Sequence, residues 1–107
     1  MTQIPQPPLV TVSPDVIRTV VRNTVLAMPD VRGLGGVGRR SEGRSGAGIE
    51  VRIDDGVVRL ALRVTAAADV SLLKLGEEIQ VEVAGVVEEI VGMPVASVDV
   101  SFEDVKA

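Results

Sequence analysis

Apolar residues recur along this chain in two rhythms. Ile17, Val20, Val21, Thr24, Val25 and Met28 fall three or four positions apart, which predicts one buried stripe on a helix. Ser13-Pro14-Asp15 supplies the start: a capping hydroxyl, proline at the first helical position and an acid in the first turn. Pro29 is the stop. Leu72, Leu75, Ile79, Val83, Val86 and Ile90 repeat the pattern, with Asp69 or Ser71 as cap and Gly92 and Pro94 beyond the end. A weaker stripe, Leu73, Gln80, Ala84, Val87 and Val91, runs about a third of a turn away. That helix therefore carries more apolar residues than one core face uses.

The second rhythm has a period of two. Ile49, Val51 and Ile53 alternate with Glu50, Arg52 and Asp54, and Val58, Leu60, Leu62 and Val64 alternate after Asp55-Gly56. Asp-Gly between alternating runs predicts a two-residue hairpin turn of the primed type. With that turn, Asp54 pairs with Val57, Ile53 with Val58, Val51 with Leu60 and Ile49 with Leu62, so the apolar residues share one face. On the other face Arg52 opposes Arg59, a local cost that Glu50 would relieve by leaning diagonally toward Arg59. Val98, Val100 and Phe102 alternate with Ser97, Asp99, Ser101 and Glu103 as a closing strand. The order helix, strand, strand, helix, strand predicts an α+β two-layer sandwich, a small sheet with two helices on one face.

Two segments fit neither rhythm. Residues 1–9 are a Pro-rich lead-in, expected to be flexible. Between Gly33 and Gly48 stand seven of the eleven glycines, together with Arg39, Arg40 and Arg44. Glycine at that density weakens helix and strand alike, so a Gly/Arg-rich loop at 35–48 is expected, with Val31 and Leu34 forming a short strand or turn before it. The remainder, 10–105, reads as a single domain, a normal size for one core in a chain of 107 residues.

Composition narrows the chemistry mainly through what is missing. There is no Cys, His, Trp or Tyr, and Phe102 is the only aromatic residue. Thiol and imidazole nucleophiles, an imidazole base and the usual zinc ligands are thereby excluded, and no cofactor is expected. Zero cysteines fit a reduced cytoplasmic setting. The stretches free of charged or hydrogen-bonding side chains are far shorter than the roughly 20 residues a spanning helix needs, so direct membrane insertion is not expected. The net charge of −4 is unevenly spread. Residues 1–63 hold nine Arg against six acids, whereas residues 64–107 hold two Lys against nine acids.

Several strings imitate known chemistry. Gly33-Leu34-Gly35-Gly36-Val37-Gly38 matches a dinucleotide fingerprint, but a helix precedes it and a loop follows, the wrong setting for pyrophosphate. Ser71-Leu72-Leu73-Lys74 matches a serine–lysine pair without its companion elements. Glu78, Glu82 and Glu89 flank the apolar stripe while Glu77 and Glu88 point elsewhere, so no convergent acidic pocket is expected. Gly43-Arg44-Ser45-Gly46 resembles the clamp of RNA-binding KH modules, yet it leads to a strand instead of joining helices. Absent stacking aromatics and a negative net charge argue against nucleic acid as a partner.

Taken together, Val10-Thr11-Val12-Ser13-Pro14-Asp15-Val16-Ile17, Met28-Pro29-Asp30-Val31-Arg32-Gly33-Leu34, and above all Gly76-Glu77-Glu78-Ile79-Gln80-Val81-Glu82-Val83, Val87 to Val95 and Val98-Asp99-Val100 resemble the alkaline shock protein family. These are bacterial envelope stress response proteins. The resemblance implies a non-enzymatic stress protein acting as a protein-binding or scaffolding module at the cytoplasmic side of the membrane. It also implies a small integral membrane protein as anchor, and it supplies no catalytic residue. A homo-oligomer is expected from the second apolar stripe and the uneven charge. The Gly/Arg insertion at 35–48 departs from the family pattern. From the residues, the expected partner surface is Leu73, Val87 and Val91, and the expected contact for an anionic surface is Arg39, Arg40 and Arg44. The alternative role is a small RNA-binding protein using the Arg/Gly loop with the Arg18 and Arg22 face.

Overall fold

The computed structural model describes residues 10–35 and 48–107. Helix α1 spans Pro14–Leu26 and is followed by strands β1 (Val31–Leu34), β2 (Ile49–Asp54) and β3 (Val57–Ala67). Helix α2 (Leu72–Val86) runs into a π turn at Val87–Val91, and strand β4 (Val95–Lys106) closes the chain. The α+β class and the helices match expectation. The expected order is one strand short, because Val31–Leu34 pairs as a strand of its own.

β3 is the centre of the sheet. β2 pairs antiparallel with its first half and β1 with its second, so both lie along one edge. β4 runs parallel along the opposite edge, from Val58↔Val95 to Ala67↔Lys106. The hairpin register is the one the Asp55-Gly56 turn requires: Ile49↔Leu62, Val51↔Leu60, Ile53↔Val58 and Asp54↔Val57. Both turn residues have positive φ, 52° at Asp55 and 74° at Gly56, as the primed turn demands.

β1 and β2 meet end to end at Arg63. Gly35 N–H donates to the Arg63 carbonyl at 2.8 Å, and Arg63 N–H donates to the Gly48 carbonyl at 2.8 Å. The chain thus leaves and rejoins the sheet at one point. Gly48 sits at φ +87°, and a Cβ there would lie 2.4 Å from the Gly35 nitrogen, so only glycine fits.

Both helices cover the same face of the sheet. Ile17, Val21 and Val25 of α1 and Leu75, Ile79 and Val83 of α2 are buried against Val58, Leu60, Leu62 and Val64 of β3. Each such side chain contributes about 1.5–3 kcal/mol by leaving water. At the end of α2 the observed phase differs from the expected stripe. Val87 is fully buried, Val86 is half-buried and Ile90 is exposed. Val87 N–H still donates to the Val83 carbonyl one α turn back, so the core reaches further round the helix than the stripe. The π turn follows it and takes in more residues per turn than an α-helix. The four-residue series Leu75, Ile79, Val83, Val87, Val91 would otherwise drift around the axis, and the wider turn keeps its end on the core. Gly92, left-handed at φ +81°, terminates it.

The caps also resolve. Ser71 is the N-cap of α2, its hydroxyl accepting from Lys74 N–H at 3.3 Å, whereas Asp69 occupies a left-handed turn at φ 68°. Ser13 caps α1 through its backbone only. Its carbonyl accepts from Val16 N–H at 3.0 Å, and its hydroxyl makes no cap bond.

Candidate functional site

The residues expected to form the partner surface do not share one. Leu73 is 75% exposed on the first turn of α2, Val87 is fully buried in the core, and Val91 is half-buried against it. Leu73 is open to a partner, Val91 in part and Val87 not at all. Arg39, Arg40 and Arg44 lie outside the described residues, as does most of the 35–48 loop and the 1–9 lead-in.

What the helices do build is a groove. The end of α1 and the turn after it contribute Thr24, Ala27, Met28 and Pro29 on one side. The outward face of α2 contributes Lys74, Glu77, Glu78, Val81 and Glu82 on the other, enclosing about 760 Å³. Helix period explains the second wall, since positions three and four apart lie on one face. Glu77 follows Leu73 by one turn and Val81 follows Glu77 by another. Val81 is 73% exposed, an apolar residue among glutamates.

The groove corrects the reading of the glutamates. Glu77, Glu78 and Glu82 line the same depression, against the single cation Lys74. None of the three forms an ion pair among the described residues, where the one ion pair is Arg18–Asp15 on α1. α1 ends beside this groove with no basic residue in its last turn, so its carbonyl end adds partial negative charge. The result is a groove lined by apolar and acidic side chains together. Met28 suits such a lining because its unbranched thioether adapts to different contacts. Val81 is missing from both apolar stripes in the sequence. Its signal was present nonetheless: a valine on the charged side of an amphipathic helix has no core reason to be there.

Several other polar groups have structural roles. The Ser71 hydroxyl is engaged by the Lys74 backbone, so the serine–lysine string is a helix cap. Glu88 accepts from Val95 N–H at 3.1 Å, and the Gln80 amide donates to the Val98 carbonyl at 3.0 Å, tying the helix to β4. The Arg18 guanidinium is held by Asp15, while Arg22 is exposed. Among the described residues no group of three or more acidic side chains is placed to hold a metal ion, and no helix is long and apolar enough to cross a membrane.

Three comparisons bear on this arrangement. The model of the alkaline shock protein family, described as having a cell envelope-related function, matches residues 7–107. No curated protein sequence matches the chain. Solved structures of the MamM CTD share its fold. A triple variant aligns with a TM-score of 0.59 at 14% identity, covering 84% of this chain and 93% of that one. A zinc form of a single variant aligns at 0.55 with 16% identity and 87% of each chain. A copper form aligns at 0.54 with 14% identity, covering 84% of this chain and 95% of that one. At these identities the likeness is one of fold, and the metals belong to those structures.

Proposed function

The chain belongs to the alkaline shock protein family, whose function is cell envelope-related, and from that premise we propose that it is a non-enzymatic protein-binding module of the envelope stress response. It works at the cytoplasmic side of the membrane and reaches the membrane through a protein partner. The observation that carries this reading is the groove between α1 and α2: apolar Met28 and exposed Val81 beside glutamates that form no ion pair among the described residues. Such a surface suits a peptide segment with apolar and basic residues better than an anionic lipid surface, which the glutamates would repel. Among the described lining residues the one hydroxyl, Thr24, donates to the Val20 carbonyl and is not set beside a base. Arg39, Arg40 and Arg44, on the segment anchored at Gly35 and Gly48, remain the proposed contact for an anionic surface.

The test is affinity capture of the tagged chain from membrane and cytosolic fractions, run in parallel with Val81→Glu and Leu73→Glu. Recovery of a membrane protein with the parent chain, lost with Val81→Glu, is the expected result. Recovery from cytosol alone, with RNA, would replace this reading with nucleic-acid binding.

A further inference from the structure

Helix α1 reaches the groove with its carboxyl end open. Its last turn holds no basic residue, and Pro29 just beyond it has no N–H to donate. The carbonyls of Asn23, Val25 and Met28 accept backbone N–H groups, and that of Pro29 accepts from the Arg32 guanidinium at 2.8 Å. Among the described residues no donor reaches the carbonyls of Thr24, Leu26 and Ala27. Open carbonyls at a helix end concentrate partial negative charge in its last turn.

The other wall adds to that charge. Glu77, Glu78 and Glu82 line it without an ion pair among the described residues, and Lys74 is the one cation of the lining. Two sources of negative potential therefore border one space that also holds Met28 and exposed Val81. Both walls are sides of helices, whose backbone groups are bonded within the helix, so neither offers an edge to an incoming strand. An occupant must satisfy its own backbone, as a helix does.

We propose that the groove takes an amphipathic helix of a partner protein, and that an arginine of this helix caps the carboxyl end of α1. The proposal deepens the function above and rests on the groove being the partner site. A guanidinium carries five N–H donors in one plane, so it can serve open carbonyls and a carboxylate together; an ammonium has three donors and no such fork. An apolar residue one turn from the arginine meets Met28 and Val81. The signature of the partner is thus arginine with an apolar residue three or four positions away. An uncharged helix would cover the carbonyls and carboxylates without replacing their water, which disfavours it.

Random peptides of about 15 residues, long enough for a helix, selected by phage display on the immobilised full chain test this. The expected selection is rich in arginine with an apolar residue one turn away, and the peptides gain helical circular dichroism on binding. For a selected peptide carrying a fluorescent label, arginine replaced by neutral citrulline is expected to bind about 10-fold more weakly or worse, and by lysine about 3-fold. Glu77→Gln with Glu78→Gln, both exposed, is expected to cost about 10-fold in affinity. Ala27→Arg supplies the cation within the chain. It is expected to unfold at a higher temperature than the parent and to bind about 10-fold more weakly, whereas uncharged Ala27→Gln stays within about 3-fold of the parent.

A selection without cationic enrichment, or with no binder, would overturn the proposal. So would a bound peptide that is extended, citrulline or lysine matching arginine, unchanged binding by the glutamate variant, or equal effects of the two Ala27 variants. Failure here is separable from failure of the envelope reading. Membrane recovery lost with Val81→Glu beside a failed selection rejects the arginine helix and keeps the groove as the partner site. A successful selection beside membrane recovery unchanged by Val81→Glu keeps the capping contact and rejects the envelope role.

Discussion

The two faces of β3 come from one alternating run. Val58, Leu60, Leu62 and Val64 are buried beneath the helices, while Arg59 is exposed and Ala61 and Arg63 are half-buried on the other side. Backbone pairing is common to both faces, so it cannot account for the difference. Covering by helices does. On the helix face a lost methylene leaves a hole that close-packed neighbours fill only in part. On the open face it leaves water. The first face sets whether the chain folds, and the second is free to carry charge.

The sharpest test of that division compares adjacent residues. Leu60→Ala is expected to lower the unfolding free energy by about 2–5 kcal/mol in urea titrations. Arg59→Ala, one residue away, is expected to change monomer stability by no more than about 0.5 kcal/mol. Similar losses for the two would break the comparison. A smaller contrast separates two glycines. Gly48→Ala combines a left-handed φ with a clash on Gly35 and is expected to cost more than about 2 kcal/mol. Gly56→Ala has a similar φ but open space around it, and about 1–2 kcal/mol is expected from the same measurement. Least in size is the pair of helix caps. Ser71→Ala is expected to cost about 1 kcal/mol, because its hydroxyl satisfies an N–H that the helix leaves open. Ser13→Ala should cost less, since that hydroxyl makes no such bond. Equal losses at the two serines would show that the cap geometry of α1 differs in solution.

Much of the candidate site was less legible than the core. The hairpin could be read residue by residue, because a two-residue turn leaves its flanking strands one register. The groove could not. Glu77, Glu78 and Glu82 were visible as a solvated face, but Met28 and Pro29 come from a segment some fifty residues away, roughly four elements earlier in a small domain. Periodicity reports which side of a helix is apolar and says nothing about which neighbour stands beside its polar side. Val87 shows a second kind of limit. An α-helical wheel puts it on the weaker stripe, and the packing of neighbouring elements buries that side of the helix too.

Sequence alone determined the local choices: where the helices begin, the Asp55-Gly56 turn, the register of β2 on β3 and the residues of the helix face. Each follows from interactions within a few positions, where sterics, capping and alternation leave one answer. Tertiary structure decided the rest. It set β1 and β2 end to end on a single edge, laid β4 parallel beside β3, buried Val87 and brought α1 against the acidic side of α2. Those outcomes depend on contacts between residues distant in the chain, whose energies are shared among many partners and written in no short stretch of sequence.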